Sequence, residues 1–324
     1  MRIHGLCLVK NEVDIVRQGL KAARAWCDAV YVLDNGSTDG TWEEVQALSR
    51  EDPAIVPWKQ EEVPFRDGLR AHIYHAFADR AKPGDWWARL DPDEFYIDDP
   101  RKFLSRVPSS AGCVWYASLS YYFSTEEARR YHADPSQFAD DVPITEKCRH
   151  YFNFWSEIRF VRHEVMEPWE GTEGWPEKLV RRVRSHRHRM LCRHFPYRSP
   201  SQIERRIATR AASAMSGTVF SHEAVKDWRK TVDPVSIREH HWNDLEYATD
   251  PTEMEWGWES RVIDAANLVF DAHDGRYVLN KHLMPSIPGV PRPLLHRIVS
   301  NRFTRPIIRR VWKKPAPLAR PVAT

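Results

Sequence analysis

A chain of 324 residues, 42% of them hydrophobic, suffices for one large α/β domain with additions or for two domains, and a disordered or peptide-sized protein is excluded. Its five cysteines, Cys7, Cys27, Cys113, Cys148 and Cys192, are scattered with no Cys-x-x-Cys pair, so neither a disulfide framework nor a thiolate zinc site is indicated and a reducing compartment fits best. The net charge of +3 is unevenly spread: 11 of the 48 basic residues and none of the 45 acidic ones follow Asp274, so a mildly acidic body carries a basic tail.

The apolar start is too short for a signal peptide, and no later window approaches 18 apolar residues, so the expectation is a soluble or peripheral protein in the cytoplasm. The fourteen tryptophans are read mostly as core.

Ile3 to Val9 reads as a buried strand, and Glu12 to Trp26 places Val13, Val16, Leu20 and Ala23 at helical spacing. A second strand, Ala29 to Leu33, closes on Asp34 and is followed by Asn35-Gly36-Ser37-Thr38-Asp39-Gly40-Thr41, dense in turn formers and N-cap residues before a helix. Ala54 to Trp58 is a third strand, and Phe65 to Ala81 a helix through Leu69, Ile73 and Phe77. Pro83-Gly84-Asp85 then turns the chain into a fourth strand, Trp86 to Leu90, which ends on Asp91-Pro92-Asp93-Glu94. This alternation is the pattern of a doubly wound, mostly parallel sheet flanked by helices.

Ligands of such sheets bind beyond the carboxyl ends of the strands. Three polar clusters fall there: Lys10-Asn11-Glu12, Asp34 to Asp39, and Asp91 to Glu94. Three carboxylates within four residues need positive partners, and a divalent cation with a diphosphate supplies them. A solvated acidic turn is the plain alternative. Neither a Gly-x-Gly-x-x-Gly nor a Gly-x-x-x-x-Gly-Lys motif is present to explain the site.

Asn11-Glu12, Asp34 to Thr41 and Asp91-Pro92-Asp93-Glu94, in this order and spacing, resemble the amino-terminal half of the family 2 glycosyltransferases with the GT-A fold, over about residues 3–125. The resemblance implies a metal-dependent, inverting glycosyltransferase of the hexosyltransferase type, using a UDP- or GDP-sugar and Mn²⁺ or Mg²⁺. It hands base and ribose recognition to Asp34 and Asn35, with Asn11, Glu12 and Asp39 beside them. Asp91 falls on the sugar side with a share in the metal, and Asp93 on the metal. Arg66 and Arg70 precede the fourth strand and are candidates for the diphosphate.

Further on, Gly112 to Phe123 is β-rich, and His150 to Arg162 alternates as one more strand. Lys178 to Pro200 is a dense basic patch ending in His194-Phe195-Pro196-Tyr197-Arg198-Ser199, and a helix over 199–215 follows, capped by Ser199 or Ser201. In the family that the chain resembles, a downstream histidine often completes the metal site, which implies His194 as ligand and Arg193 or Arg198 near the diphosphate. The family's catalytic base has no clean copy here; Glu157 and Glu164 are the candidates.

The expected organisation is a glycosyltransferase domain over 1–220, with a donor half (1–125) and a metal-completing, acceptor half (126–220), then a mixed Trp-rich part (221–288). A basic amphipathic tail (289–324), broken by Pro306, completes a helical and basic C-terminal extension. Such a tail suits an anionic membrane surface, at about 1 kcal/mol per basic residue near the headgroups, or is an ordinary packed or disordered tail. A membrane-facing tail fits a glycan or glycolipid acceptor in bacterial surface polysaccharide or lipopolysaccharide synthesis, on the inner face of the membrane. Two rivals stay open: a metallohydrolase using His186, His188 and His194, and a non-enzymatic protein that binds nucleic acid or membrane through the basic segments. On the glycosyltransferase reading no nucleic acid is expected.

Overall fold

The computed structural model describes residues 1–123, 125–155, 157–166, 169–171, 175–176, 183–186 and 188–215, and three short strands at 246–247, 268–271 and 276–279. The Trp-rich part, those strands apart, and the basic tail lie outside the described residues.

The first half alternates as the hydrophobic periods require: β1 (Ile3–Val9), α1 (Val16–Arg24), β2 (Ala29–Asp34), α2 (Thr41–Glu51), β3 (Ile55–Gln60), α3 (Leu69–Phe77) and β4 (Trp86–Leu90). The second half contains β5 (Glu94–Tyr96), α4 (Pro100–Leu104), β6 (Cys113–Tyr122), α5 (Thr125–Ala133) and α6 (Ile144–Lys147). Then follow β7 (His150–Trp155), β8 (Ile158–Arg162), β9 (Met190–Tyr197), α7 (Pro200–Met215), β10 (Glu246–Tyr247) and the hairpin of β11 (Leu268–Asp271) with β12 (Arg276–Leu279).

The parallel part of the sheet has the order β3-β2-β1-β4. All seven residues of β1 are buried, because helices cover both faces. On one face Ile3, Cys7 and Val9 pack with Val16 and Leu20 of α1 and Val45 and Leu48 of α2. On the other, Leu6, Leu8 and Tyr31 pack with Leu69, Ile73 and Tyr74 of α3. Trp86 and Trp87, both fully buried, fill opposite faces, so these tryptophans are core. The doubly wound α/β architecture is therefore present.

Beyond β4 the pairing turns antiparallel, through β8 to β6, and β9 then lies parallel to β6. The single strand expected over 150–162 is two. β7 pairs with the carboxyl half of β6 and β8 with its amino half, Tyr116 N–H donates to the Glu157 carbonyl at 2.9 Å between them, and the register slips within each pairing, at Arg159 opposite Val114 and Trp115 and at Phe154 opposite Ser118 and Leu119. Such an irregularity re-aims a side chain out of the alternation. The α1 helix starts four residues later than its apolar period, after a turn in which Ile15 and Val16 N–H both donate to the Glu12 carbonyl. The α3 helix is likewise shorter than 65–81 and ends in a single 3₁₀ turn, Ala78–Arg80.

Pro200 starts α7 with its φ preset, and Ser199 Oγ accepts from Gln202 N–H at 3.3 Å as the cap. Gln202 reaches back, donating to the Pro196 carbonyl and accepting from Arg198 N–H, which joins the helix start to the end of β9.

Helix α1 supports the acidic turn after β4 directly. A Cβ on Gly19 would overlap the Pro92 carbonyl oxygen and lie 2.7 Å from its carbon, backbone atoms with no rotamer to yield. Ala improves helix propensity by about 1 kcal/mol, but overpacking against fixed backbone costs about 1–3 kcal/mol. Gly19→Ala is therefore expected to lower stability, read as a fall in the urea midpoint with an unchanged m-value.

Candidate active site

The strand order reverses between β1 and β4, and the loops after β1, β2 and β4 meet beyond their carboxyl ends, at the topological switch point where ligands of open sheets bind. Asn11 has φ +56, a left-handed conformation that Asn tolerates, and it ties the first loop to the second. Its N–H donates to Ser37 Oγ at 2.8 Å and its Oδ1 accepts from Thr38 N–H at 2.9 Å. Asp39 bonds Thr41 through one oxygen and Val13 N–H through the other. Gly36 and Gly40 take the positive φ values that the turn requires.

Asp34 and Asn35 close β2, and both are completely buried. Asp34 Oδ1 accepts from Ser37 N–H at 2.7 Å and Gln60 Nε2 at 3.3 Å, while Oδ2 is buried without a partner. Asn35 donates to the Glu61 and Val63 carbonyls, and its Oδ1 is also buried without a partner. Each such acceptor costs about 1–3 kcal/mol, which a donor N–H or O–H from a ligand would recover.

The acidic turn is held by arginines. Arg70 bonds Asp91, and Arg159 bonds both Asp91, at 2.7 Å, and Glu94. Tyr116 O–H donates to Glu94 at 3.0 Å, and Arg159 also pairs with Glu157 at 2.8 Å and lies over the Tyr116 ring. Arg89 continues the network to Glu157 and Asp67. Burial pushes up the Glu94 carboxyl, to about 7 against the pull of Arg159. At Asp91 burial is outweighed by Arg70 and Arg159, which hold its carboxyl well below the usual range.

Asp93 faces the other way. In the antiparallel pairing of β5 with β9, Glu94 lies opposite His194, and Phe195 N–H donates to the Asp93 carbonyl at 2.9 Å. That register brings His194 Nε2 to 3.4 Å from Asp93 Oδ2. Arg198 stands behind at 3.6 Å from Asp93, bonded to Glu12 and Asp14, and Arg206 of α7 is 4.0 Å from Asp93. Arg205 reaches Asp14 at 3.1 Å and Asp39 at 3.5 Å, and Thr209 accepts from Asn11. Burial pushes the Glu12 carboxyl up to about 7 despite Arg198.

The fold thus gathers Asn11, Glu12, Asp34, Asn35, Asp39, Arg70, Asp91, Asp93, His194 and Arg198 around one crevice. Both Asp91 oxygens bond arginine, and Arg198 spends its donors on Glu12, Asp14 and the Phe195 carbonyl. Glu157 lies on the arginine network. Glu164 does not join: it accepts from Gly84 N–H at the amino end of β4, so the length of that strand separates it from Asp91. Arg66 is exposed. His186 and His188 sit together, ring centroids 5.5 Å apart, but His194 is about 20 Å of extended strand further on, so the three histidines do not converge. Among the described residues no three His, Cys, Asp or Glu side chains form a ready metal cage.

Sequence reasoning missed Asp14, Tyr116, Arg159, Arg205 and Arg206. Arg159 had a local signal: a charge inside the apolar run Ile158 to Val161 requires a buried partner.

No protein-family model matches the sequence, and no curated protein does. Among solved structures, the chain is similar to a mannosyltransferase from Pyrobaculum calidifontis in complex with GDP-Man and Mn²⁺, with 13% identity over 73% of this chain and 72% of that one, at a TM-score of 0.39. It is also similar to residues 1–349 of TarS from S. aureus in complex with UDP, with 11% identity over 75% of this chain and 72% of that one, at a TM-score of 0.33. Both similarities are low, and the functional reading of this chain rests on its own residues.

Burial disfavours the charged His194 ring, but Asp93 outweighs it and raises the pKa, while His194 in turn helps to hold Asp93 below its usual value. The raised His194 adds stability below about pH 6.5 that is lost as pH climbs through its folded pKa. The depressed Asp93 adds stability that is lost as pH falls through its own. Asp93→Asn is expected to move the His194 titration midpoint downward, measured by NMR of the imidazole in metal-free buffer.

Proposed function

We propose that this chain is a glycosyltransferase that moves a sugar from a nucleotide diphosphate donor, a UDP- or GDP-sugar, to an acceptor hydroxyl. What carries the reading is the meeting of Asp93 with His194 at 3.4 Å, beyond the carboxyl end of β4 and across the switch point from Asp34. It is supported by the buried, unpartnered Asp34 Oδ2 and Asn35 Oδ1, two acceptors suited to the N–H edge of a base or the hydroxyls of a ribose. On this reading the resemblance of the Asp34 to Thr41 and Asp91 to Glu94 segments to the family 2 enzymes has a chemical basis.

A carboxylate and an imidazole side by side are a fitting donor set for Mn²⁺ or Mg²⁺, whose remaining positions water and phosphate oxygens commonly fill. Asp93 and His194 would hold the ion, with Asp91 contributing only by exchanging an arginine. When bound, the ion would neutralise charge growing on the departing diphosphate. The chain's own residues do the rest. Arg70 and Arg159 hold the Asp91 to Glu94 turn rigid, Asp34 and Asn35 orient the donor, and Arg205 and Arg206 of α7 place positive charge beside the crevice. For the base that takes the acceptor proton, giving inversion, the reading keeps Glu157, whose side chain meets Arg89 and Arg159.

On this proposal residues 1–125 bind donor and residues 126–220 complete the site and receive the acceptor, a glycan or glycolipid of surface polysaccharide or lipopolysaccharide synthesis. Among the described residues no helix is long and apolar enough to cross a membrane, and the proposed membrane contact is the basic tail. The test is thermal stabilisation by nucleoside diphosphates and sugar nucleotides, with and without Mn²⁺ or Mg²⁺. A ligand at 100 times its dissociation constant adds about 2.7 kcal/mol of apparent stability. Metal-dependent stabilisation by one nucleotide, lost in Asp93→Ala, is expected; a folded protein that responds to none of them refutes the reading.

A further inference from the structure

Among the buried arginines Arg70, Arg159, Arg162 and Arg198 all have oxygen partners. Arg189 is the exception. It is 6% exposed, its guanidinium lies over the Trp115 indole at 4.7 Å from the ring centroid, and its Nη1 is buried without a hydrogen-bond partner. Among the described residues no carboxylate pairs with it, and burial with no counter-charge pushes its pKa down to about 10.

A guanidinium stacked on an indole uses its face and leaves its N–H edge for a planar or tetrahedral oxyanion. The solvent surface lies along the indole edge: Trp115 is partly exposed, and its N–H donates at the surface to Ser185 Oγ at 3.2 Å. The surrounding sequence is suited to an anion, since residues 178–203 contain eight Lys or Arg and no acidic residue. Trp115 lies opposite Ile158, beside the register slip at Arg159. In the sheet β6 is two strands from β4 and four from β2, about 10 Å and 19 Å at the usual spacing, so the site lies on the side away from Asp34.

We propose that Arg189, backed by Trp115, forms an oxyanion subsite for a phosphate or carboxylate group. Its assignment to an anionic acceptor rests on the glycosyltransferase reading; anion binding at Arg189 does not. The experiment measures thermal stabilisation by inorganic phosphate and by glucuronate, against chloride at matched ionic strength, on wild type, Arg189→Met and Arg189→Gln. It contains no nucleotide and no metal, so the fate of the donor reading does not touch it.

The expected result is stabilisation of the wild type by one of the two anions, with apparent affinity about tenfold or more weaker in both variants. A larger response to phosphate identifies a phosphate-bearing ligand, and a larger response to glucuronate a carboxylate-bearing one. In anion-free buffer both variants are expected to melt no lower than the wild type, because they remove a buried charge that lacks a partner. Equal responses in wild type and variants, or no response, overturn the proposal. So does melting of both variants well below the wild type without anion, since the guanidinium would then be a structural piece.

Discussion

Burying Asp93 and Glu94, with Asp91 half-buried beside them, at the end of an apolar strand is the constraint that the rest of the structure meets. Several kcal/mol of desolvation per charge must be offset by close, well-oriented cations. Two arginines from distant parts of the chain supply most of this. Arg159, 3% exposed in its side chain, joins Asp91, Glu94 and Glu157, and Arg198 joins Glu12 and Asp14 while standing behind Asp93. Both jobs require several donors in a fixed plane, which a lysine does not have. The Arg198 pair with Glu12 spans 186 residues, so the crevice closes only when the loop after β1 and the end of β9 are both in place.

This division of labour separates structure from chemistry within one cluster of charges. Asp39 and Asp91 spend both oxygens on the protein itself, and Glu94 spends Oε1 on Tyr116 and Arg159. Asp34 Oδ2, Asn35 Oδ1 and Glu94 Oε2 are left over, and Asp93 faces the His194 imidazole at 3.4 Å with Arg198 and Arg206 further off at 3.6 and 4.0 Å. On the proposed function, the unsatisfied acceptors of Asp34 and Asn35 are where the donor binds, and the ion-paired groups make the floor that holds it. Arg189 applies the same criterion to the opposite charge: a buried cation left without an oxygen is, like a buried acceptor without a donor, an unmet interaction.

The helical and strand periods, the turn residues of 35–41, the Ser199-Pro200 helix start and the acidic clusters at strand ends are local properties, and all were legible in the sequence. They were enough for the doubly wound order and for naming most residues around the crevice. The boundaries of α1 and α3 were less so, because hydrogen bonds at Glu12 and the 3₁₀ turn after Phe77 trim helices whose apolar period runs further.

By itself the sequence determined which segments alternate, which faces are apolar, and that three carboxylates after the fourth strand must find positive partners. Which partners they find was decided by tertiary structure alone. The β5 to β9 register puts His194 beside Asp93, the slip in the β6 to β8 register falls at Arg159, and the adjacency of β8 to β4 delivers Arg159 to Asp91. Strand register between segments about a hundred residues apart leaves no local trace, because the same alternation of side chains is compatible with every even shift of one strand along another.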